Sequence, residues 1–360
     1  MSVPTTTMPT TRPISILDLS PIESGHTAGE ALAATTAVAQ LGDRLGYHRL
    51  WVSEHHNSAG LASGSPEILI AHLAAHTDRI RLGAGGIMLP NHPPLRIAEG
   101  FRLLEALHPG RIDLGLGRAP GTDTLTAFAL RRSREALSGD DYPQLLAELL
   151  AFDDGSFPED HPFREITPVP GDVRLPPIFL LGSSMFSAEL AAQAGLGLAF
   201  AAHIGGATAL PALSTYRETF SPSDRYPTPY AVLTVGVVVG ETEREVVELQ
   251  HLADFFLLMI VRGQRGARPS RAEALAYQFT DSDRAMLRRM PGSRFVGTPD
   301  QVATEVRAFA DQTAADELML MTIVPDLAVR LRTFELMAKH LGTGDGSVAT
   351  AAREMAAVAD

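Results

Sequence analysis

Short apolar runs alternate with longer segments of helical periodicity along most of this chain. The runs have the length and β-branched content of buried strands, and the segments after them repeat apolar positions every three or four residues. The rhythm predicts an α/β protein, a TIM (β/α)8 barrel with insertions, whose functional site lies at the C-terminal ends of the strands. The eight predicted strands are residues 14–20, 50–56, 80–89, 112–117, 177–182, 198–202, 230–239 and 317–323.

Two segments are too long to be ordinary crossovers between strands. Residues 153–176 are rich in Pro, Asp and Gly and are predicted to form an irregular insertion. Residues 241–294 have helical patterns and are predicted to form a helical insertion after strand 7. Residues 295–299 are expected to open a helix, with Thr298 as N-cap and Pro299 at its first position.

These insertions leave one barrel domain at residues 14–341. We expect a disordered tail at residues 1–13 and a flexible tail at residues 342–360. The length of 360 residues suits one large domain with additions.

Composition narrows the function classes. The formal net charge of −12 argues against a nucleic-acid or anionic-membrane surface. The absence of cysteine excludes disulfides, thiolate nucleophiles and thiolate metal sites. Without a signal peptide or a long apolar span, the chain is expected to be cytoplasmic.

The second predicted strand ends in an acid and two histidines, Glu54, His55 and His56. Adjacent strand residues point to opposite faces, so one histidine can face the mouth of the barrel while the other supports it. A histidine at a strand end can act as a general base near neutral pH, or it can simply pack there. No metal-binding spacing such as H-E-x-x-H is present, so no metal is predicted.

The third predicted strand contains Ala84, Gly85 and Gly86 after Gly83. This is not a dinucleotide loop, because the glycines lie inside a strand and do not open a helix. Glycines inside a strand indicate a bulge or a close approach of the backbone to a ligand, and the pattern leaves both open.

The fifth predicted strand runs into Gly182, Ser183 and Ser184 and then directly into a helix. Free backbone N–H groups, hydroxyls and the positive helix end can bind a phosphate, and Arg118 at another strand end could add a fixed charge. Simple N-capping by a serine is the alternative, and both can coexist. His203, after the sixth strand, is interpreted as structural, and no G-x-S-x-G motif supports a serine hydrolase.

Together these segments resemble the bacterial luciferase-like flavin-dependent oxidoreductases, including single-component monooxygenases of the MsnO type. The resemblance covers about residues 14–340, and its strongest pieces are residues 51–57, 81–92, 109–121, 181–184 and 295–299. It implies a TIM barrel that binds FMN, or in some branches a deazaflavin coenzyme, at the C-terminal mouth.

The resemblance also implies roles for individual residues. His55 corresponds to the active-site base, and Gly85-Gly86 to a bulge, often a non-proline cis peptide, that supports the flavin ring. Cofactor binding is assigned to Glu54, His56, Ala84, Gly85, Gly86, Arg118, Gly182, Ser183 and Ser184. Two positions depart from luciferase, since Gly117 replaces a reactive cysteine and Gly182 replaces an acidic residue near the phosphate.

The favoured hypothesis is a monooxygenase that oxygenates a small organic substrate with O2 and reduced FMN through a C4a-(hydro)peroxyflavin. A separate flavin reductase would supply the reduced FMN, since no NAD(P)H fingerprint is visible. Alternatives are hydride transfer with a deazaflavin and a flavin-binding barrel without turnover. The resemblance further implies a homodimer formed near residues 66–77 and 95–107, and the 241–294 insertion is a candidate lid.

Overall fold

The computed structural model describes residues 12–131, 140–263 and 269–343, and within them an eight-stranded parallel barrel. Each strand pairs with its neighbours in the order β1, β2, β3, β4, β5, β6, β7, β9, and β9 pairs back to β1. The TIM-barrel prediction is therefore confirmed. The described strands are β1 Ile14–Asp18, β2 Arg49–Val52, β3 Arg81–Met88, β4 Ile112–Gly117, β5 Ile178–Gly182, β6 Gly197–Ala201, β7 Ala231–Val239, β8 Arg294–Gly297 and β9 Glu317–Met321.

Helices surround the barrel and build the insertions. Several begin with capping interactions that the sequence encodes. In one of them, the Thr27 N–H donates to Glu30 at 2.7 Å, and the Glu30 N–H donates back to the Thr27 hydroxyl at 3.2 Å. The described helices are α1 Ala28–Leu45, α2 Pro66–Ala74, α3 Pro94–Leu107, α4 Thr124–Arg131, α5 Tyr142–Asp154, α6 Met185–Ala194, α7 Ala202–Gly205, α8 Ala209–Glu218, α9 Glu243–Val261, α10 Arg271–Ala276, α11 Asp281–Arg288, α12 Pro299–Gln312 and α13 Leu327–Leu341.

The strand β8 lies outside the barrel and was not predicted. Strand β7 is nine residues long, and its first part pairs with β6 and β9. Residues 236–239 extend past the barrel and pair with β8. The prediction that residues 295–299 open a helix was incomplete, because residues 294–297 also form a strand. This strand pairs with the extension of β7, whose backbone N–H and C=O groups need hydrogen-bond partners. Thr298 does begin α12, with Pro299 at its first position.

A buried charged cluster fills the barrel at the N-terminal ends of its strands. Arg49 lies 2.8 Å from both Asp113 and Glu317, and Arg81 lies 2.6 Å from Asp113. Burial alone would raise the pKa of Asp113, but the two arginines outweigh it and lower that pKa. The pairing matters, because a buried charge that loses its partner is strongly destabilising.

An aromatic layer lies above this cluster, towards the other end of the barrel. The rings of Trp51 and Phe179 meet edge to face with centroids 5.1 Å apart. Trp51 fits because Gly83 has no side chain: a Cβ there would lie 2.6 Å from the indole nitrogen. The layer separates the charged end of the barrel from the opposite mouth.

The predicted helical insertion contains α9, α10 and α11, and it ends in β8. Its apolar face, including Leu252 and Phe256, packs with Val238 of β7 and with Val324. None of the helices in the described ranges is long and apolar enough to cross a bilayer.

The predicted ends of the domain differ from the structure by a few residues. Arg12, assigned to the N-terminal tail, donates to the Ala315 carbonyl at 2.7 Å, and the Pro13 carbonyl accepts from Leu318. Most of the predicted tails, residues 1–11 and 344–360, lie outside the described residues.

Candidate active site

The predicted site residues follow the C-terminal ends of four adjacent strands, β2 to β5. Glu54 to His56 come after β2, Gly85 and Gly86 lie in β3, Arg118 follows β4, and Gly182 to Ser184 end β5. The parallel sheet therefore brings these segments to the same mouth of the barrel, as expected for this fold.

The strand prediction for residues 50–56 was too long, because β2 ends at Val52. Beyond that point the backbone leaves the ladder. The His55 N–H donates to the Ser63 carbonyl at 3.0 Å, and the His56 N–H donates to the Gly121 carbonyl at 3.2 Å. The site residues thus lie in a loop that two neighbouring loops hold in place.

His55 is held by a residue that the sequence analysis did not single out, Ser53. The Ser53 hydroxyl is buried and lies 3.0 Å from Nδ1 of His55. Burial lowers the pKa of His55, with a smaller opposing effect from Glu54 and a further lowering by His56. The imidazole is therefore neutral at pH 7, the form a general base requires.

Glu54 is a buried carboxylate surrounded by donors. Its oxygens lie 2.8 Å from Nε2 of His56 and 3.0 Å from Nε2 of His92, and they accept from the Met88 N–H at 2.9 Å and from the Asn91 amide at 3.2 Å. Burial would raise the pKa of Glu54, but the hydrogen bonds from His92, His56 and Met88 lower it. Glu54 is thus an ionised group that connects the loop after β2 to the end of β3.

The two neighbouring histidines have different partners in this network, although they lie in a loop and not on the strand whose alternation the sequence analysis assumed. His55 interacts with Ser53, whereas His56 interacts with Glu54. His92 and Asn91 were missed as site residues, although they follow the third strand directly in the segment Pro90-Asn91-His92-Pro93. Their partner Glu54 is 37 to 38 residues away in sequence, a pairing that only the adjacent strands reveal.

The glycine pair Gly85-Gly86 forms an irregularity in β3, as the sequence indicated. The register between β3 and β4 shifts between Ala84 and Ile87, and the Gly85–Gly86 peptide bond is cis. A side chain at Gly86 would lie 2.7 Å from the Gly115 carbonyl oxygen. Close contact between two strands is therefore one reason for glycine at this position.

The segment after β5 leads into the N-terminus of α6. Ser184 occupies the N-cap position, but its side chain makes no capping hydrogen bond, so capping does not account for its hydroxyl. The Arg118 guanidinium lies over the ring of Phe186, 4.2 Å from its centroid, in the first turn of α6. The structure thus brings Arg118 to the helix end that carries Ser183 and Ser184.

Gly182 is required for packing where it leaves β5. A Cβ there would lie 2.0 Å from the Ser187 hydroxyl oxygen, so any side chain at this position would collide with α6.

His203 follows β6, the next strand around the barrel. Its Nδ1 lies 3.5 Å from the Thr234 carbonyl oxygen, and burial lowers its pKa to about 4. The His203 carbonyl also packs closely on Gly292, at the end of the insertion. These contacts agree with the structural role predicted for it.

No group of three or more His, Cys, Asp or Glu side chains within the described ranges could hold a metal ion.

Comparison with known proteins identifies the family. The family model for luciferase-like monooxygenases matches residues 13–316. The chain belongs to the luciferase-like monooxygenase family. A luciferase-like monooxygenase of Escherichia coli (strain K12) is 40% identical, over 89% of this chain and 95% of its own. The crystal structure of apo-MsnO8 superimposes with a TM-score of 0.84 at 35% identity, over 92% of this chain and 99% of its own.

This membership shows that the protein is an enzyme, and it confirms the resemblance drawn from the sequence. Another family member, the N-acetyl-S-alkylcysteine monooxygenase of Bacillus subtilis (strain 168), is 33% identical over 90% of this chain and 97% of its own. The luciferase-like fold also extends to distant structures that share only the fold with this chain. They include a Baeyer-Villiger monooxygenase component from Pseudomonas putida in complex with FMN, and an F420-dependent alcohol dehydrogenase.

Proposed function

We propose that this luciferase-like enzyme is a flavin-dependent monooxygenase that uses reduced FMN and O2 to oxygenate a small organic substrate. The observation that carries this proposal is the placement of a partly buried, neutral His55 on the same barrel mouth as Arg118 and the α6 N-terminus. A proton-handling group and an anion-binding group at one mouth are what a reaction on a phosphorylated cofactor needs.

The donor set beside α6 suits the phosphate of FMN. The first turn of a ten-residue helix offers backbone N–H groups and a positive dipole end, and Ser183 and Ser184 add hydroxyls. Arg118, which is exposed and stacked on Phe186, adds a guanidinium that can bind phosphate oxygens bidentately. In this proposal these three residues hold the phosphate, while Ala84, Gly85 and Gly86 face the flavin ring.

When bound, reduced FMN supplies the electrons that activate O2. His55 holds or removes a proton at Nε2, because its Nδ1 is engaged by Ser53. As a base, His55 donates Nδ1–H to the Ser53 oxygen and keeps the lone pair on Nε2. Glu54 positions the loop through its hydrogen bonds to His56 and His92, so its role in cofactor binding is indirect.

The helical insertion is the candidate lid that excludes water from the mouth. Its last residues are fastened to the end of β6, since the Ser293 N–H donates to the Ala202 carbonyl at 2.7 Å. Gly206, three residues before α8, packs so tightly on Ser293 that a Cβ there would lie 2.1 Å from the Ser293 hydroxyl oxygen. A cover held at this point would protect reactive oxygen chemistry from solvent.

Two partners belong to this proposal. A separate flavin reductase would deliver reduced FMN, and a second copy of the chain would pack on α2 and α3. Large apolar side chains are exposed on these helices: Ile68 is 69% exposed, Leu103 53% and Leu107 59%. Such surface is typical of a protein interface and supports a homodimer.

The test is an anaerobic titration with reduced FMN followed by rapid mixing with air. We expect saturable binding and reoxidation slower than that of free reduced FMN. Rapid reoxidation with weak binding would contradict the proposal. A tight complex with the deazaflavin F420 instead would support hydride transfer, the alternative left open by the fold.

A further inference from the structure

A groove crosses the surface of the helical insertion between α9 and α11. It is open to solvent and has a volume of about 790 Å³. Its walls come from α9, the turn before α11, α11 itself and the first residue of β8, and none of the mouth residues 54–56, 84–86, 118 or 182–184 lines it. We call it the insertion groove.

Positive charge is concentrated in this groove. Three arginines, Arg284, Arg288 and Arg294, line it together with a single acid, Asp254. Asp254 pairs with Arg294, so the other two guanidiniums are not balanced by an acid of the groove lining. A local excess of cations is unexpected in a chain whose formal net charge is −12.

Arg294 has a buried donor without a partner. Its Nη2 pairs with Asp254, but its Nη1 is buried and makes no hydrogen bond to any atom of the described residues. A buried N–H without an acceptor is costly, and guanidinium can only donate. Because it is buried, the Nη1 atom of Arg294 is not offered to a ligand, and the exposed positive charge of the groove comes from Arg284 and Arg288.

The groove also offers an apolar, aromatic wall. The rings of Tyr277 and Phe279 meet edge to face with centroids 5.2 Å apart, and the Arg284 guanidinium lies 5.7 Å from the centroid of Phe279. Val247 and Leu287 extend this surface. A flat apolar body could lie on this wall while its acidic group meets the arginines.

We infer that the insertion groove binds an organic anion, a carboxylate or phosphate monoester joined to an apolar or aromatic body. Arg284 and Arg288 bind the anionic group, and Phe279 contacts the body. This is a second binding site, separate from the flavin site proposed at the barrel mouth.

The test is calorimetric titration of the full-length protein with phenyl phosphate, phenylacetate, inorganic phosphate and uncharged benzyl alcohol. The two aromatic anions are expected to bind saturably and benzyl alcohol is not. If phenyl phosphate binds tighter than phenylacetate, the natural ligand is a phosphate monoester, and the reverse order indicates a carboxylate. Inorganic phosphate should bind more weakly than phenyl phosphate, because it makes no contact with Phe279.

Matched variants locate the binding. Arg288→Ala should weaken phenyl phosphate binding about tenfold, the effect of losing one charge-assisted hydrogen bond. Arg289→Ala removes the same charge from the next residue, which does not line the groove, and should have no effect. Phe279→Leu should weaken the binding of phenyl phosphate but not that of inorganic phosphate.

Three results would overturn the inference. The first is that neither aromatic anion binds saturably. The second is that Arg288→Ala and Arg289→Ala weaken phenyl phosphate binding equally. The third is that Arg118→Ala weakens phenyl phosphate binding while Arg288→Ala does not. The last result would place the probe at the barrel mouth. Because binding is measured without turnover, the outcome is independent of the monooxygenase proposal.

Discussion

The Ser53 hydroxyl oxygen lies 3.0 Å from Nδ1 of His55, two residues further along the loop. Glu54, which lies between them in the sequence, contacts His56 instead. The contact between Ser53 and His55 fixes one nitrogen of the imidazole and leaves the other for chemistry at the barrel mouth.

We expect Ser53→Ala to lower kcat/KM for oxygenation about tenfold, the cost of one hydrogen bond of roughly 1–1.5 kcal/mol. His55→Asn should lower it more, by about 10²–10⁴-fold, since it removes the proton-handling group itself. Steady-state kinetics with a supplied reductase would measure both.

Ser63→Ala is the matched control for this pair. Ser63 is a buried serine of the neighbouring loop whose hydroxyl has no hydrogen-bond partner among the described residues, while its carbonyl accepts from His55. Its replacement keeps the carbonyl and should leave the kinetics unchanged. If Ser63→Ala lowered kcat/KM as much as Ser53→Ala, packing and not the hydrogen bond to His55 would be responsible for the effect.

The pH dependence follows from the lowered pKa of His55. Burial favours the neutral imidazole, so the base form persists below pH 6.5, the ordinary value, and is lost only as the pH falls through the lowered pKa. The acidic limb of kcat/KM should therefore lie below pH 6.5 and should disappear in His55→Asn. A limb above pH 6.5 that belongs to His55 would contradict this reasoning.

Arg118→Ala should weaken the binding of reduced FMN about tenfold through the loss of a phosphate contact. Riboflavin is the chemical control, because it lacks the phosphate and should bind both proteins equally. Anaerobic titration followed by flavin absorbance measures the two affinities. Equal weakening for FMN and riboflavin would mean that Arg118 supports the fold of the mouth and not the phosphate.

Glu54→Gln should lower the free energy of unfolding by about 2–4 kcal/mol, because an amide cannot accept from all the donors that surround this carboxylate. The folded-state pKa of Glu54 lies below its ordinary value of 4.5, so its stabilisation is present above pH 4.5 and is lost as the pH falls through the lowered pKa. Denaturant unfolding at pH 7 and at pH 3.5 measures both effects. The difference in free energy of unfolding between wild type and variant should be smaller at pH 3.5 than at pH 7. An equal difference at both pH values would exclude the ionised carboxylate as its cause.

Ile68→Glu on α2 should convert the proposed homodimer into a monomer, since it places a charge in an apolar interface. Leu125→Glu is the control, because Leu125 is 78% exposed on a different helix, α4. Sedimentation equilibrium gives the mass of each. A wild-type mass of one chain would refute the dimer directly.

The sequence alone determined the barrel and most of its strands, because a βα repeat needs only local periodicity and short turns to be recognised. The same periodicity identified Glu54, His55 and the glycine pair, since residues at strand ends of a parallel barrel share one mouth. The resemblance to a known family, carried by continuous motifs, then supplied the expected flavin chemistry.

Only the tertiary structure decided how those residues interact. Strand β2 ends at Val52, and the loop after it forms hydrogen bonds to Ser63 and Gly121. Glu54 pairs with His92, which follows the adjacent strand. The tertiary structure also added β8, whose partner is the extension of β7. Each of these features depends on groups 8 to 65 residues apart in the chain, and local periodicity carries no information about such contacts.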